Sequence, residues 1–210
     1  MKLYFFPVAP NPTRVRLYLV EKREGGAQFD IEEISVNLRE NEQQSDTHRA
    51  RNPLAKLPVL QTGDGEYLTE SAAIIEYLEE LEPSPAMIGA TPMDRARTRE
   101  FDRILEFGIL NPIAEIVHAT ASPLGRPPNP SVAAHAEARL PAHFALINDR
   151  LSDGRPFLQG DTSSIVDCTL AAAFQFGRLA KIEIPTECEH VARWHENFRG
   201  RVSAKQILVL

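Results

Sequence analysis

The sequence feature that most constrains the fold is a change of pattern near residue 82. Before it, short apolar stretches typical of strands alternate with stretches of helical periodicity. Residues 82–92, EPSPAMIGATP, concentrate Pro, Gly and Ser and break the periodicity. After them, the apolar spacing is helical throughout. The chain therefore predicts an α/β domain over residues 1–82, a linker over 83–92 and an all-helical domain over 93–210.

The α/β half predicts the order strand, helix, strand, helix, hairpin, helix. The predicted strands are residues 2–6, 28–36, 57–60 and 66–68, the last two joined through a GDG turn at 63–65. The predicted helices run from Pro12 to Gly25, briefly within the polar segment 40–51, and from Thr69 or Glu70 to Leu81.

The second half predicts helices over residues 93–120, 131–152 and 188–200, and one headed by Ser164. Pro141 is expected to kink the second of them. Ser164 and Asp167 have the spacing of a capping box. The apolar tail QILVL, residues 206–210, is expected to fold back onto the helical core or over a ligand pocket.

Composition narrows the classes of function. A formal net charge of -6 argues against nucleic acid as the main partner, since no basic excess exists to neutralise phosphates. The two cysteines, Cys168 and Cys188, are too few for a disulfide scaffold and favour a reducing cytoplasm. No apolar run approaches the roughly 18 residues of a membrane span. The six histidines form no metal-ligand set, because His190 and His195 miss the helical i+4 spacing.

Three short segments suggest a ligand site. Asn11 lies between Pro10 and Pro12 at a helix start, where an anion-binding residue and a simple helix cap are both possible. The Leu57-Pro58 bond, if cis, would turn the main chain of Leu57 outward to a ligand. Glu70 and Ser71 lie at a predicted helix start, where free main-chain N–H groups can bind a carboxylate.

Together these segments resemble the glutathione S-transferase superfamily. The most specific elements are NPLAKLPVL (52–60), followed at the family's usual separation by LTESAAIIEYLEE (68–80). Ser-Ile-Val-Asp at 164–167 is similar to the folding N-cap box of these proteins. The resemblance covers almost the whole chain and implies a thioredoxin-like N-terminal domain and an all-α helical-bundle C-terminal domain. It also implies a cytoplasmic, homodimeric detoxification enzyme with glutathione as co-substrate, a small electrophile as partner and no metal.

The resemblance implies roles for single residues. Pro58 would be the cis-proline, and Leu57 would pair with the cysteinyl backbone of glutathione. Glu70 would take the γ-glutamyl ammonium and Ser71 its carboxylate. Further residues are expected at the glycyl end, namely Gln44 and Lys56, although Lys56 also suits a solvated loop. The residues expected to line the electrophile pocket are Ala9, Phe107, Asn111 and Phe176, with ordinary packing as the alternative for the aromatic pair.

The resemblance also implies which residue stabilises the thiolate of glutathione. Ala9 occupies the position where many relatives carry a catalytic Ser or Cys, and alanine donates no side-chain hydrogen bond. The Ala-Pro-Asn order is similar to the start of nu-type and yeast prion-related members, in which asparagine approaches the glutathione sulfur. Asn11 is therefore the expected thiolate-stabilising residue, with Thr13 as a second donor.

Several functions remain open at this point. Conjugation, peroxidase and disulfide-reductase reactions all fit the site, whereas a mixed disulfide on the protein does not, because neither cysteine lies in the N-terminal domain. A non-catalytic glutathione-binding or assembly module is the alternative, since fold does not settle function. A zeta-like isomerase is a weaker option, because Ala9-Pro10-Asn11 replaces the Ser-Ser-Cys motif expected there.

Overall fold

The computed structural model describes all 210 residues and shows a four-stranded mixed sheet followed by a helical half. The strands are β1 (Lys2–Phe5), β2 (Glu32–Ser35), β3 (Val59–Gln61) and β4 (Tyr67–Thr69). The helices are α1 (Pro10–Glu24), α2 (Asp46–Arg51), α3 (Ser71–Leu81), α4 (Pro92–Leu105), α5 (Asn111–Thr120), α6 (Pro130–Glu137), α7 (Leu140–Arg150), α8 (Ile165–Gly177), α9 (Glu189–Arg199) and α10 (Val202–Ile207). This order confirms the predicted fold class.

The strand directions bring four connecting segments to one end of the sheet. The strand order is β2-β1-β3-β4, with β1 parallel to β2 and antiparallel to β3, and β3 antiparallel to β4. Val59, at the start of β3, pairs with Tyr4 near the end of β1 and with Thr69 at the end of β4. The segments that follow β1, β2 and β4 therefore meet the segment that precedes β3.

Helix α1 connects the two halves of the molecule, since it contacts α3 on one side and α8 and α10 on the other. The buried ammonium of Lys22 lies 3.1 Å from the carboxylate of Glu79 on α3. The Glu79 carboxylate accepts hydrogen bonds from the hydroxyl of Tyr18 (2.8 Å) and the main-chain N–H of Met87 (2.8 Å). Every charged or polar atom of this buried cluster thus has a partner, as burial requires.

The helical half departs from the sequence prediction in three places. Residues 131–152 are not one kinked helix but α6 and α7, which break at Ala138 and Arg139, just before Pro141 in the first turn of α7. The predicted helix over 93–120 contains a π-helical stretch at 106–110, in which a Cβ on Gly108 would collide with the ring of His143. Helix α10 was not predicted.

Other elements agree with the prediction. The hairpin β3–β4, the start of α3 after Glu70, helix α9 and the capping box of Ser164 and Asp167 are all confirmed. The second strand is shorter than predicted, four residues rather than nine, because residues 28–31 run into it without ladder pairing. No helix combines the length and the apolar character that a bilayer crossing requires.

Candidate functional site

Asn11 lies in the first turn of α1, and it does not cap the helix. The N-cap residue is Ala9, whose carbonyl accepts the N–H of Thr13 at 3.0 Å. Pro10 and Pro12 carry no N–H, so the main-chain N–H of Asn11 is the donor that this turn leaves free. The side-chain oxygen of Asn11 accepts a hydrogen bond from the hydroxyl of Ser71 at 3.1 Å.

The start of α3 contributes the partner of Asn11. Ser71 is the first helical residue and is 3% exposed, whereas the preceding Glu70 is exposed. Glu70 has φ 68° and ψ 118°, a conformation that costs a non-glycine residue on the order of 1–3 kcal/mol. Such strained positions cluster at ligand sites. The turn therefore leaves the carboxylate of Glu70 exposed next to the free N–H groups at the start of α3.

The Leu57–Pro58 peptide bond is cis, as predicted. The main-chain N–H and C=O of Leu57 have no hydrogen-bond partner within the protein. The preceding loop is held in place, because Nε2 of His48 and Nδ2 of Asn52 each lie 3.1 Å from the carbonyl oxygen of Lys56. A fixed loop thus presents an unpaired donor and acceptor, which suits strand-like pairing with a peptide ligand.

The residues expected at the glycyl end lie on the surface. Gln44 is exposed, and its side-chain oxygen accepts a hydrogen bond from Arg49 at 2.5 Å. The side chain of Lys56 is exposed at the end of the loop that leads to Leu57. Both belong to segments that connect to the sheet end described above, Gln44 after β2 and Lys56 before β3.

Arg14 contacts the candidate site and was not predicted from the sequence. Its guanidinium is 1% exposed, and Nε donates to the hydroxyl oxygen of Ser71 at 2.9 Å. Arginine has no acceptor, so Ser71 accepts from Arg14 and keeps its own proton for the oxygen of Asn11. The amide –NH₂ of Asn11 is then free to donate elsewhere. The i+4 spacing from Tyr18 could have placed Arg14 on a buried face of α1, but it does not indicate which residues Arg14 contacts.

The charge of Arg14 is balanced from the helical half. Nη1 of Arg14 lies 3.2 Å from the Glu106 carboxylate and 3.7 Å from that of Asp102. The Asp102 carboxylate also accepts the hydroxyl of Thr169 at 2.5 Å. Burial raises the pKa of Asp102, an effect that Arg14 and Thr169 oppose. One buried guanidinium thus links α3 to the helical half.

Thr13, the second candidate donor, faces the interior. It is 0% exposed, and its hydroxyl donates to the carbonyl of Ala9 at 2.8 Å. It also accepts from Nε2 of Gln175 at 3.3 Å, while Oε1 of Gln175 accepts the main-chain N–H of Val209 at 2.6 Å. A hydroxyl has a single proton, so Thr13 has none left for a thiol. It ties α1 to α8 and to the tail instead.

The expected electrophile-pocket residues do not all share one cavity. Asn111 lines a cavity of about 570 Å³ together with His118, which was not predicted although it lies on the same face of α5, seven residues on. Burial and the charge of Arg126 lower the pKa of His118. Phe107 lies outside this cavity, 56% exposed, and Phe176 lies in the core at 3% exposed, with its ring centroid 5.6 Å from that of His118. Ala9 is half-buried at the α1 cap.

Comparison with known proteins identifies the family. Residues 3–86 match the model for the glutathione S-transferase N-terminal domain, and residues 130–197 match that for the C-terminal domain. Maleylpyruvate isomerase from a Ralstonia species is 31% identical over 88% of this chain and 85% of its own length. The chain belongs to the glutathione S-transferase superfamily.

Other superfamily members resemble the chain over its full length. Glutathione S-transferase 2 of Saccharomyces cerevisiae is 28% identical over 99% of this chain and 89% of its own length. The crystal structure of Gtt2 from Saccharomyces cerevisiae is similar with a TM-score of 0.88 at 28% identity, over 99% of this chain and 100% of that one. The family resemblance and the transferase chemistry predicted from the sequence are confirmed, with glutathione as co-substrate.

Proposed function

We propose that this glutathione transferase ionises the thiol of glutathione through Asn11 and passes the thiolate to a small hydrophobic electrophile, a peroxide or a disulfide. The observation that carries the proposal is the hydrogen bond from Ser71 to the side-chain oxygen of Asn11. Because that bond occupies the oxygen, it orients the amide so that its –NH₂ remains free to donate to sulfur.

Glutathione is proposed to bind at the end of the sheet where β3 begins and β4 ends. The unpaired main chain of Leu57 would pair with the cysteinyl residue beside the cis Pro58, and the exposed carboxylate of Glu70 would take the γ-glutamyl ammonium. The free main-chain N–H groups at the start of α3, that of Ser71 among them, would bind the γ-glutamyl carboxylate, since the hydroxyl proton of Ser71 is donated to Asn11. Gln44 and Lys56 would meet the glycyl end.

The free energy needed to ionise the thiol at neutral pH is small. A free thiol has a pKa near 8.5, and each unit of depression corresponds to about 1.4 kcal/mol in favour of the anion. The amide –NH₂ and the main-chain N–H of Asn11 are two donors at the positive end of α1, which is enough for one or two such units. Ala9 adds no side-chain donor.

The electrophile is proposed to bind in the cavity of Asn111 and His118, about 570 Å³ in volume, a size within the usual range for small-molecule sites of about 300–1,000 Å³. Peroxide or disulfide reduction would proceed on bound glutathione and not on the protein's thiols. Cys168 is buried, and burial raises the pKa of its thiol well above the ordinary value. A buried neutral thiol is a poor nucleophile.

A homodimer is proposed as the assembled form, in the cytoplasm and with a role in detoxification. Both halves expose large apolar side chains, among them Leu54 (67% exposed) before β3 and Phe107 (56% exposed) after α4. In a dimer that pairs the N-terminal half of one subunit with the helical half of the other, such side chains would be covered. Light scattering of wild type and Leu54→Glu tests this, with a dimer expected only for wild type.

Glutathione-dependent isomerisation is a second candidate, because one full-length relative carries the name maleylpyruvate isomerase. The sequence argues against isomerisation, because Ala9-Pro10-Asn11 replaces the Ser-Ser-Cys motif expected of a zeta-like isomerase. Activity toward maleylpyruvate in excess of conjugation and hydroperoxide turnover would establish isomerisation as the main reaction.

The deciding experiment measures glutathione affinity by calorimetry alongside turnover of chlorodinitrobenzene and an organic hydroperoxide. Glu70→Gln should weaken affinity about tenfold or more, because it removes the charge that meets the γ-glutamyl ammonium. Ser71→Ala should weaken it too, because it releases the side chains of Asn11 and Arg14 at the start of α3. Glu66→Gln, an exposed change in the hairpin loop, is the matched control. Wild-type affinity in both variants would overturn the binding assignment. Binding without turnover would instead establish the non-catalytic module.

A further inference from the structure

A small polar cavity lies where the linker meets the helical half. Its volume is about 290 Å³. It is enclosed by linker residues between Ala86 and Ala90, by the first two turns of α4 and by the loop that leads into α8. It shares no lining residue with the cavity of Asn111 and His118 or with the proposed glutathione site. The proposed transferase function therefore gives this cavity no role.

The side chain of Gln159 brings an unpaired donor to the cavity. Its Oε1 accepts a hydrogen bond from Nη2 of Arg150 at 2.9 Å. Because a guanidinium can only donate, this bond fixes the orientation of the amide and leaves both N–H groups of Nε2 for another partner. Nε2 is buried and has no hydrogen-bond partner within the protein. Few buried donors remain unpaired in native proteins, so the group indicates an acceptor that fills the cavity.

Further donors line the other walls of the cavity. The hydroxyl of Ser163, in the loop before α8, is also buried without a partner. Thr98 on α4 is 4% exposed, and its hydroxyl forms no hydrogen bond within the protein. In the linker wall, the main-chain N–H groups of Gly89 and Ala90 have no acceptor within the protein. The loop, the helix and the linker thus each contribute a donor that a ligand could satisfy.

The electrostatics of the cavity favour an anion. Ser164, the N-cap of α8, lines it, and the N-terminus of α4 follows directly after the linker wall, so the positive ends of two helices lie beside it. Arg97 adds a cation at the rim, with its side chain 66% exposed. Asp94 is the single acid of the lining, and its Oδ2 already accepts the N–H and the hydroxyl of Thr91 at 3.2 and 2.7 Å.

We propose that this cavity binds a phosphate group, whose oxygens accept hydrogen bonds from Gln159 Nε2 and from the hydroxyls of Ser163 and Thr98. A tetrahedral oxyanion accepts from several directions at once, which suits donors on three walls better than a planar carboxylate does. The volume is close to the lower limit of small-molecule sites, about 300 Å³, so the ligand is inorganic phosphate or a small phosphate ester.

Calorimetric titration of the full chain with inorganic phosphate and with glycerol 3-phosphate tests the proposal, and glycerol is the neutral counterpart. S-methylglutathione at saturation occupies the glutathione site. Gln159→Glu keeps an acceptor for Arg150 but places a carboxylate oxygen where Nε2 donates. Gln206→Glu adds the same charge at an exposed position of α10 and is the matched control. Ser163→Ala removes only the unpaired hydroxyl.

Both phosphate compounds should bind wild type, and the one that binds more tightly identifies the ligand as free phosphate or an ester. Gln159→Glu should weaken binding about tenfold or more, and Ser163→Ala about three- to tenfold, whereas Gln206→Glu should leave it unchanged. Absence of binding to wild type would show that the unpaired donors meet water only, and would overturn the proposal. Equal binding of glycerol and its phosphate, or unchanged binding in Gln159→Glu, would also overturn it. If Gln159→Glu does not fold, Ser163→Ala decides.

Discussion

At the scale of single residues, the ionisation of bound glutathione is expected to depend on the amide of Asn11. Asn11→Ala removes a donor to sulfur, and a hydrogen bond to a charged group contributes about 1.5–3 kcal/mol. The thiol pKa of bound glutathione should rise by about one to two units, and turnover at neutral pH should fall about tenfold or more. The loss should shrink at high pH, where the thiol ionises without help. Titration of thiolate absorbance near roughly 240 nm measures the pKa.

Two further variants give this experiment its controls. Ser71→Ala should shift the thiol pKa as well as weaken glutathione binding, because Ser71 orients Asn11. Glu70→Gln should change affinity alone. Asn197→Ala, at an exposed position of α9, should change neither. An unchanged pKa in Asn11→Ala would assign ionisation to main-chain N–H groups.

Arg14 should matter for stability and for the site together. Removing one partner of a buried charge group typically costs about 3–5 kcal/mol, because the remaining charge is left unpaired. Arg14→Met should therefore lower the free energy of unfolding in urea by about that amount. Arg14→Lys keeps the charge but, with one point-like ammonium, is not expected to reach Ser71 and Glu106 at once. Arg14→Lys should restore part of the free energy of unfolding, whereas glutathione binding should stay weakened as in Arg14→Met. Full recovery of both would contradict the role of the hydrogen bond from Arg14 Nε to Ser71.

The sequence predicted these residues unequally, for a physical reason. The cis Leu57–Pro58 bond and the start of α3 follow from local chemistry that a short motif carries. The contact between Asn11 and Ser71 joins residues sixty positions apart, so the sequence could indicate a shared site but not which atom donates. The role of Arg14 depends on Asp102 and Glu106 from the other half of the chain, and no local pattern encodes that pairing.

At the scale of elements, the tail is expected to belong to the core. Ile207 is 4% exposed and packs within the main hydrophobic cluster, whereas Val209 is 57% exposed. Ile207→Ala should cost about 2–5 kcal/mol in the free energy of unfolding, as for other buried large-to-small changes. Val209→Ala should stay within about 0.5 kcal/mol. Thermal or urea unfolding measures both. A change of KM for the electrophile with little loss of stability would favour the lid interpretation instead.

The apolar periodicity predicted the presence of the helices more accurately than the residues at which they end. The apolar spacing is continuous across residues 131–152, so the pattern alone does not reveal that the chain turns at Ala138 and Arg139. The π-helical stretch at 106–110 is set by packing, since Gly108 lets α7 approach through His143. Helix α10 has six residues, too few to show a clear period.

At the scale of the whole molecule, the two halves share one set of buried contacts. Arg14 joins α1 to the helical half, and the carboxylate of Glu21 on α1 is bound by Arg201 at 2.5 Å. The sequence predicted two units and their order, but it did not predict that α1 has buried polar partners on both sides. Unfolding is therefore expected to be one cooperative transition, in which the pH dependence of any buried group affects the whole chain.

His195 provides the test of that coupling. Its pKa is lowered to about 4 in the folded protein, mainly by burial, against an ordinary value near 6.5. Between these two pKa values the unfolded chain binds more protons than the folded chain. The contribution of His195 to the free energy of unfolding is therefore fully present above about pH 6.5 and is lost as pH falls toward 4. The slope contributed by one such group is at most about 1.4 kcal/mol per pH unit. Urea unfolding from pH 4 to 7 measures it.

The expected result is a difference between variants. His195→Gln should be less stable than wild type at pH 7, because it loses the edge contact with Phe174 (ring centroids 5.3 Å apart), and this deficit should narrow as pH falls. His135→Gln, an exposed change on α6, should follow the wild-type curve. A constant difference between wild type and His195→Gln across the range would show that the histidine titrates equally in both states. Its burial would then not couple protonation to the fold.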